Sequence, residues 1–104
     1  MIEAKFFQKN GDYIGFDVSG HAGYDLFGKD IVCASVSSAV QLTANGITEI
    51  LANNAQIELK DNSVMLSLMD SSKEAKAFLK ALKLHLELLA DDYPGTIHIS
   101  CMEV

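Results

Sequence analysis

Residues 20–37 have the sequence Gly-His-Ala-Gly-Tyr-Asp-Leu-Phe-Gly-Lys-Asp-Ile-Val-Cys-Ala-Ser-Val-Ser. This stretch begins where an alternating strand pattern stops and ends within a helical pattern, so it joins a strand to a helix. Its glycine-rich middle separates His21, a potential base, from Cys33, a potential nucleophile. The stretch predicts an active site with a cysteine nucleophile.

The strands are predicted from alternating apolar and polar residues. Two of them precede the junction, over residues 2–8 and 12–19. Asn10-Gly11 lies between them and predicts a tight hairpin, because both residue types tolerate positive φ. Three later strands are predicted over residues 55–60, 63–69 and 96–102. The strand over residues 63–69 is apolar on both faces, which predicts an inner position in the sheet.

Two helices are predicted over residues 31–52 and 72–91, where apolar residues recur at helical spacing. Asp30 is a suitable N-cap for the first helix, and Ser72 or the preceding serine for the second. Gly46 is a weak point inside the first helix, which indicates that another element packs closely against it.

The order of elements is therefore β-β-α-β-β-α-β. The two hairpins predict mostly antiparallel pairing. The fold class is α+β, with one sheet packed against two helices. A length of 104 residues fits a single domain over residues 1–104.

Composition excludes several classes of protein. The net charge is −6 and every basic residue is lysine, which argues against direct binding of nucleic acid. The apolar runs are short and no signal pattern is present, so we expect a cytoplasmic protein without a membrane anchor. The two cysteines, Cys33 and Cys101, are expected to be thiols, and the scattered histidines predict neither a metal site nor a cofactor.

Cys33 is predicted to lie in the first turn of the first helix. Free amides and the helix dipole at that position stabilise a thiolate and an oxyanion. His21 follows a strand and is the expected general base. Asp30 and Ser37 share the side of the helix that carries Cys33, and either one could orient the imidazole. As an N-cap, however, Asp30 would oppose the thiolate, and the sequence does not decide between these roles.

The predicted loop is apolar for a surface segment. We expect it to act as a lid over a bound peptide. Its residues are Gly20, Gly23, Tyr24, Leu26, Phe27 and Gly28.

Other interpretations than an active-site cysteine remain open, because a single cysteine is most often a small core residue. The chain could be a non-catalytic protein-binding module or a different thiol enzyme, such as an acyltransferase. Leu84 and Leu88 make the second helix apolar on an additional face, which indicates either deep burial or a homodimer surface. His85 is expected at the surface or an interface, and His98 and Cys101 are expected to be ordinary strand residues.

Gly20-His21-Ala22, followed by Gly28 and by Asp-Ile-Val-Cys-Ala-Ser-Val-Ser over residues 30–37, resembles the signature of the ribosomal-processing cysteine protease family, Prp. Length and element order agree along essentially the whole chain. The resemblance implies a homodimeric cytoplasmic endopeptidase of bacteria that uses Cys33 and His21 as a dyad, with Asp30 and Ser37 assisting. Its implied substrate is the N-terminal extension of large-subunit ribosomal protein twenty-seven, cut after paired phenylalanines. The alternative is a non-catalytic, ribosome-associated binding module.

Overall fold

The first hairpin forms the centre of the sheet. In the computed structural model, which describes residues 1–20, 26–70 and 72–104 and the side chains of the second range from residue 31 onward, it consists of β1 (Ile2–Lys9) and β2 (Asp12–Gly20). The two strands pair antiparallel. Asn10 and Gly11 both have positive φ, 54° and 84°, which confirms the predicted hairpin turn.

Three further strands complete a five-stranded sheet in the order β3-β4-β2-β1-β5. β4 lies between β3 and β2, which confirms its predicted inner position. Three of the four pairings are antiparallel, as predicted, and β5 pairs parallel with β1. The three strands are β3 (Ala55–Lys60), β4 (Ser63–Leu68) and β5 (Ile97–Glu103).

The second helix, α2, spans Lys73–Asp92, one residue later at each end than predicted. Ser72 caps it, because its Oγ accepts a hydrogen bond of 3.1 Å from the backbone N–H of Ala75. The preceding serine lies outside the described residues. Four buried residues face the sheet at helical spacing: Ala75, Leu79, Leu82 and Leu86.

The first helix, α1, spans Leu26–Asn45 and continues as a π-helical segment over Gly46–Ile50. The predicted start at residue 31 was therefore wrong by five residues. Asp30 lies inside the helix, so its predicted role as N-cap was also wrong. Gly28 lies inside the helix and not in a loop as predicted, since a glycine costs a helix only about 1 kcal/mol relative to alanine.

Gly46 lies at a close contact between the first helical segment and α2. A Cβ atom at this position would lie 2.7 Å from a ring carbon of Phe78 on α2. This contact confirms the prediction that another element packs closely there. The absence of a side chain at Gly46 therefore lets the Phe78 ring sit against the backbone of the first helix.

The core lies between the sheet and the two helices. Its largest fully buried side chains include Phe6, Phe16, Leu66, Leu79 and Leu86. The observed α+β architecture and its β-β-α-β-β-α-β order confirm the predicted fold class.

By length and composition alone, Ile31–Ile50 is apolar enough to span a membrane, contrary to the expectation from its short apolar runs. In this fold, the segment buries Val32, Val36 and Val40 in the core, as a core helix does.

Candidate active site

Cys33 lies in the body of α1 and not in its first turn. It is the eighth residue of the helix, so the unpaired amides of the helix start lie about two turns away. The predicted stabilisation of a thiolate or an oxyanion by those amides at Cys33 was therefore wrong, since the effect fades within the first turn. The thiol is half-buried and packs against the core.

A groove of about 530 Å³ runs between α1 and the sheet. We call it the Cys33 groove. One wall is the stripe of α1 that carries Cys33, Ser37, Gln41 and Asn45, which are spaced by four residues and so lie on one side of the helix. The opposite wall comes from β2, β3, β4 and the β3–β4 turn, and includes Gly20, Ile57, Leu59, Asn62 and Val64.

Gly20 closes β2 at the edge of this groove. Its backbone N–H donates a hydrogen bond of 3.0 Å to the carbonyl oxygen of Asn62. Its φ is 91°, and a Cβ atom there would lie 2.7 Å from the carbonyl oxygen of Met1. Only glycine meets both conditions without strain. The end of β2 is thus held against the β3–β4 turn, in the same groove as Cys33.

The structure describes some of the predicted site residues and not others. Ser37 is exposed, one turn beyond Cys33 on the same wall of the groove, so these two are brought together as predicted. Asp30 precedes Cys33 by one turn of helix, and its side chain lies outside the described residues. His21 also lies outside them, so its pairing with Cys33 stays a prediction.

The predicted loop is shorter than expected at its far end. Leu26, Phe27 and Gly28 belong to the helical backbone of α1, so placing them in a loop was wrong. Gly23 and Tyr24 lie outside the described residues. The role of this segment in covering a substrate stays a prediction.

The other cysteine and the two histidines that the structure describes lie away from the Cys33 groove. Cys101 is a free, exposed thiol on the edge strand β5. The Nδ1 atom of His98 lies 2.8 Å from the Oε2 atom of Glu3, a cross-strand pair on the surface. His85 is exposed on α2. All three therefore confirm the strand or surface positions that the sequence predicted.

Sequence reasoning missed several residues that line the groove. Gln41 and Asn45 continue the four-residue spacing from Cys33 and Ser37, so that spacing was a usable signal. Leu59 on β3 joins them only through the order of strands in the sheet, which no local pattern reveals. Among the described residues, no group of three His, Cys, Asp or Glu side chains is placed to hold a metal ion.

Comparison with known proteins finds similar sequences over most of the chain. The family model of the cysteine protease Prp matches residues 1–98. The ribosomal processing cysteine protease Prp of Staphylococcus aureus is 26% identical over 86 residues, which cover 80% of this chain and 81% of that protein.

Solved structures share the fold. A crystal structure of the essential ribosomal processing protease Prp from S. aureus, in complex with a covalently linked product peptide, matches with a TM-score of 0.89 and 23% identity, over 98% of this chain and 100% of that one. SMU.848 from Streptococcus mutans matches with a TM-score of 0.80 and 28% identity, over 100% of this chain and 96% of that one. Because the family model covers nearly the whole sequence, the chain belongs to the cysteine protease Prp family.

Proposed function

We propose that this protein is an endopeptidase that removes the short N-terminal extension of bacterial large-subunit ribosomal protein twenty-seven by cutting after paired phenylalanines. Membership of a family of cysteine proteases and the relative named as a ribosomal processing protease support this proposal. A ribosomal substrate also implies action in the cytoplasm, and the net charge of −6 suits a basic partner.

The observation that carries the proposal is the shared groove of Gly20 and Cys33. His21 follows Gly20 directly, and consecutive Cα atoms are about 3.8 Å apart. His21 is therefore bonded directly to a residue that lines the same groove as the thiol. This arrangement supports a dyad in which Cys33 is the nucleophile and His21 is the general base.

The proposed reaction proceeds in two stages. His21 accepts the proton of the Cys33 thiol, and the sulfur attacks the carbonyl carbon of the scissile peptide bond. As the C–N bond breaks, the imidazolium returns the proton to the leaving amine, and the peptide remains joined to sulfur as a thioester. Water, deprotonated by His21, then attacks the thioester, which releases the carboxylate product and restores the thiol.

Asp30 and Ser37 have assisting roles in this proposal. Each lies within one turn of Cys33 on α1, which places both backbones beside the reacting sulfur. With the N-cap role of Asp30 removed, orientation of the imidazole is the remaining role for its carboxylate. The Ser37 hydroxyl, exposed at the groove, is suited to contact either the imidazole or the peptide.

The test is mass spectrometry of the ribosomal protein's N-terminus after incubation with this protein. We expect loss of the extension with the natural sequence and no cleavage with Cys33→Ala or His21→Ala, while Ser37→Ala lowers the rate less. Cys101→Ala is the matched control, since it removes the other thiol and should cleave normally. Cleavage that survives Cys33→Ala would contradict the mechanism, and binding without cleavage by any form would favour the non-catalytic module.

The segment from Gly20 to Gly28 is proposed to contact the bound peptide. Tyr24 and Phe27 are aromatic residue types, which suit an apolar substrate, and Gly20, at the start of the segment, lines the groove. Tyr24→Ala and Phe27→Ala should raise KM more than they lower kcat. Unchanged kinetics in both variants would remove this segment from substrate binding.

We also propose that the protein is a homodimer. Leu84 and Leu88 of α2 are 57% and 54% exposed, so the fold of a single chain leaves both apolar side chains largely in contact with water. A second groove, lined by Leu42, Phe78, His85 and residues around them, lies between α1 and α2. Sedimentation equilibrium should give twice the monomer mass, and Leu88→Asp should shift it towards the monomer. A monomeric natural protein would contradict this proposal.

A further inference from the structure

The Cys33 groove extends well beyond the reacting thiol. The wall on α1 runs from Cys33 to Asn45, which corresponds to about 18 Å along the helix axis. An extended peptide rises about 3.3 Å per residue, so this length accommodates about five residues. The groove therefore has room for a substrate segment as well as for the bond that is cut.

The two walls of the groove differ in chemistry. The α1 wall presents the amide side chains of Gln41 and Asn45, both exposed. Each amide can donate and accept hydrogen bonds, which matches the alternating N–H and C=O groups of an extended backbone. The opposite wall presents Ile57 and Leu59, which are two residues apart on β3 and therefore project from the same face.

Ile57 and Leu59 are unusual for an exposed edge strand, where charged residues normally prevent unwanted association. Leu59 is 75% exposed and Ile57 is 40% exposed. Of the charged residues of this strand, Glu58 lies between the two and does not line the groove, whereas Lys60, at the end of the strand, does line it. The apolar pair thus faces the groove that leads to Cys33, where a bound side chain would remove it from water.

We propose that Ile57 and Leu59 form a specificity subsite for an apolar side chain of the substrate, held in an extended segment whose backbone hydrogen-bonds with Gln41 and Asn45. The occupant is a stretch of the substrate peptide within about five residues of the cut bond, because the subsite and Cys33 line one continuous groove. The proposal rests on the proposed protease function and adds the residues that select the peptide.

The kinetic test compares Leu59→Ala with Met102→Ala, using a fluorogenic peptide that carries the ribosomal-protein extension. Both residues are exposed and apolar on edge strands, but Met102 lies on β5, at the opposite edge of the sheet. We expect Leu59→Ala to raise KM about ten-fold with little change in kcat, as for loss of an apolar contact, and Met102→Ala to change neither. Equal kinetics for the two variants would overturn the proposal.

Peptides in which each apolar residue in turn is replaced by serine locate the partner of the subsite. One replacement should lower kcat/KM about ten-fold with the natural protein and should have little further effect with Leu59→Ala, because the two changes remove the same contact. Fully additive effects at every position would contradict a direct contact.

Gln41→Ala tests the backbone contacts, with Gln56→Ala as its control on β3. Gln41 lines the groove, whereas Gln56 projects from the opposite face of β3 to the apolar pair. We expect only Gln41→Ala to raise KM.

Titration of the fluorescently labelled peptide into Cys33→Ala separates this inference from the proposed function. Binding that is weakened by adding Leu59→Ala supports the subsite even if the natural protein fails to cleave. Cleavage by the natural protein, with binding to Cys33→Ala that is insensitive to Leu59→Ala, would refute the subsite and leave the protease function intact.

Discussion

Gly20→Ala should damage both stability and activity, because Gly20 combines an unusual backbone angle with a close contact. Its φ of 91° lies in the left-handed region, which costs an L-residue about 1–2 kcal/mol. The new Cβ would also lie 2.7 Å from the carbonyl oxygen of Met1, so the end of β2 or the first residue must shift. Together, these effects should lower the free energy of unfolding by about 2–4 kcal/mol.

The effect on activity follows from the position of Gly20 immediately before His21. A displacement of about 1 Å in a catalytic group can lower the rate about 100-fold, so we expect kcat/KM to fall by about that factor. Urea denaturation followed by circular dichroism measures stability. Cleavage of the ribosomal-protein peptide at low temperature and without urea measures the activity of the folded variant.

Gly11→Ala and Gly95→Ala are the matched controls. Both glycines have positive φ, 84° and 79°, but a Cβ atom at either position would meet nothing within 4 Å. They therefore carry the backbone cost of about 1–2 kcal/mol without the contact, and they should cleave normally. If Gly20→Ala unfolds and cleaves like these two variants, the end of β2 does not fix the geometry of the site, and the reasoning fails.

The remaining predictions concern the helices. Gly46→Ala should destabilise the protein by about 1–3 kcal/mol through overpacking against the Phe78 ring. In a double-mutant cycle measured by urea denaturation, Gly46→Ala and Phe78→Ala should show a coupling energy of at least about 0.5 kcal/mol. Strictly additive effects of the two substitutions would contradict the contact. Ser72→Ala should cost about 1 kcal/mol through loss of the helix cap, and an unchanged midpoint would refute that role. The hydrogen bond that the Lys83 ammonium donates to the Glu87 carboxylate raises the pKa of Lys83. This pair therefore adds stability below the ordinary lysine pKa, and the stability is lost as pH rises through the folded pKa. Stability measured across alkaline pH should fall more for the natural protein than for Glu87→Gln.

Local patterns predicted the elements of this fold well, because each depends on neighbours in sequence. The Asn10-Gly11 turn follows from the tolerance of two residues for positive φ, and the inner position of β4 follows from its two apolar faces. The start of α1 was misplaced because Asp30 fits a cap in isolation, whereas the helix begins at Leu26 and includes both Gly28 and Asp30, since one glycine costs a helix only about 1 kcal/mol.

The candidate site was only partly predictable for the same reason. Cys33 and Ser37 share a helix face, which four-residue spacing reveals without a structure. The opposite wall of the groove could not be predicted without the order of strands in the sheet. β3 lies at the groove because it pairs with β4, which pairs with β2. The apolar subsite at Leu59 is therefore a property of non-local strand pairing.

The parallel pairing of β5 with β1 has a consequence for folding during synthesis on the ribosome. Ile2 and Ile97 are direct partners although they are 95 positions apart, and the N–H of Val104 donates to the carbonyl oxygen of Gln8. One side of β1 therefore stays unpaired until β5 has been synthesised, and such distant pairings form slowly. A nascent chain whose β5 is still in the exit tunnel has an incomplete sheet, so the complete fold is expected to form only after β5 has left the tunnel.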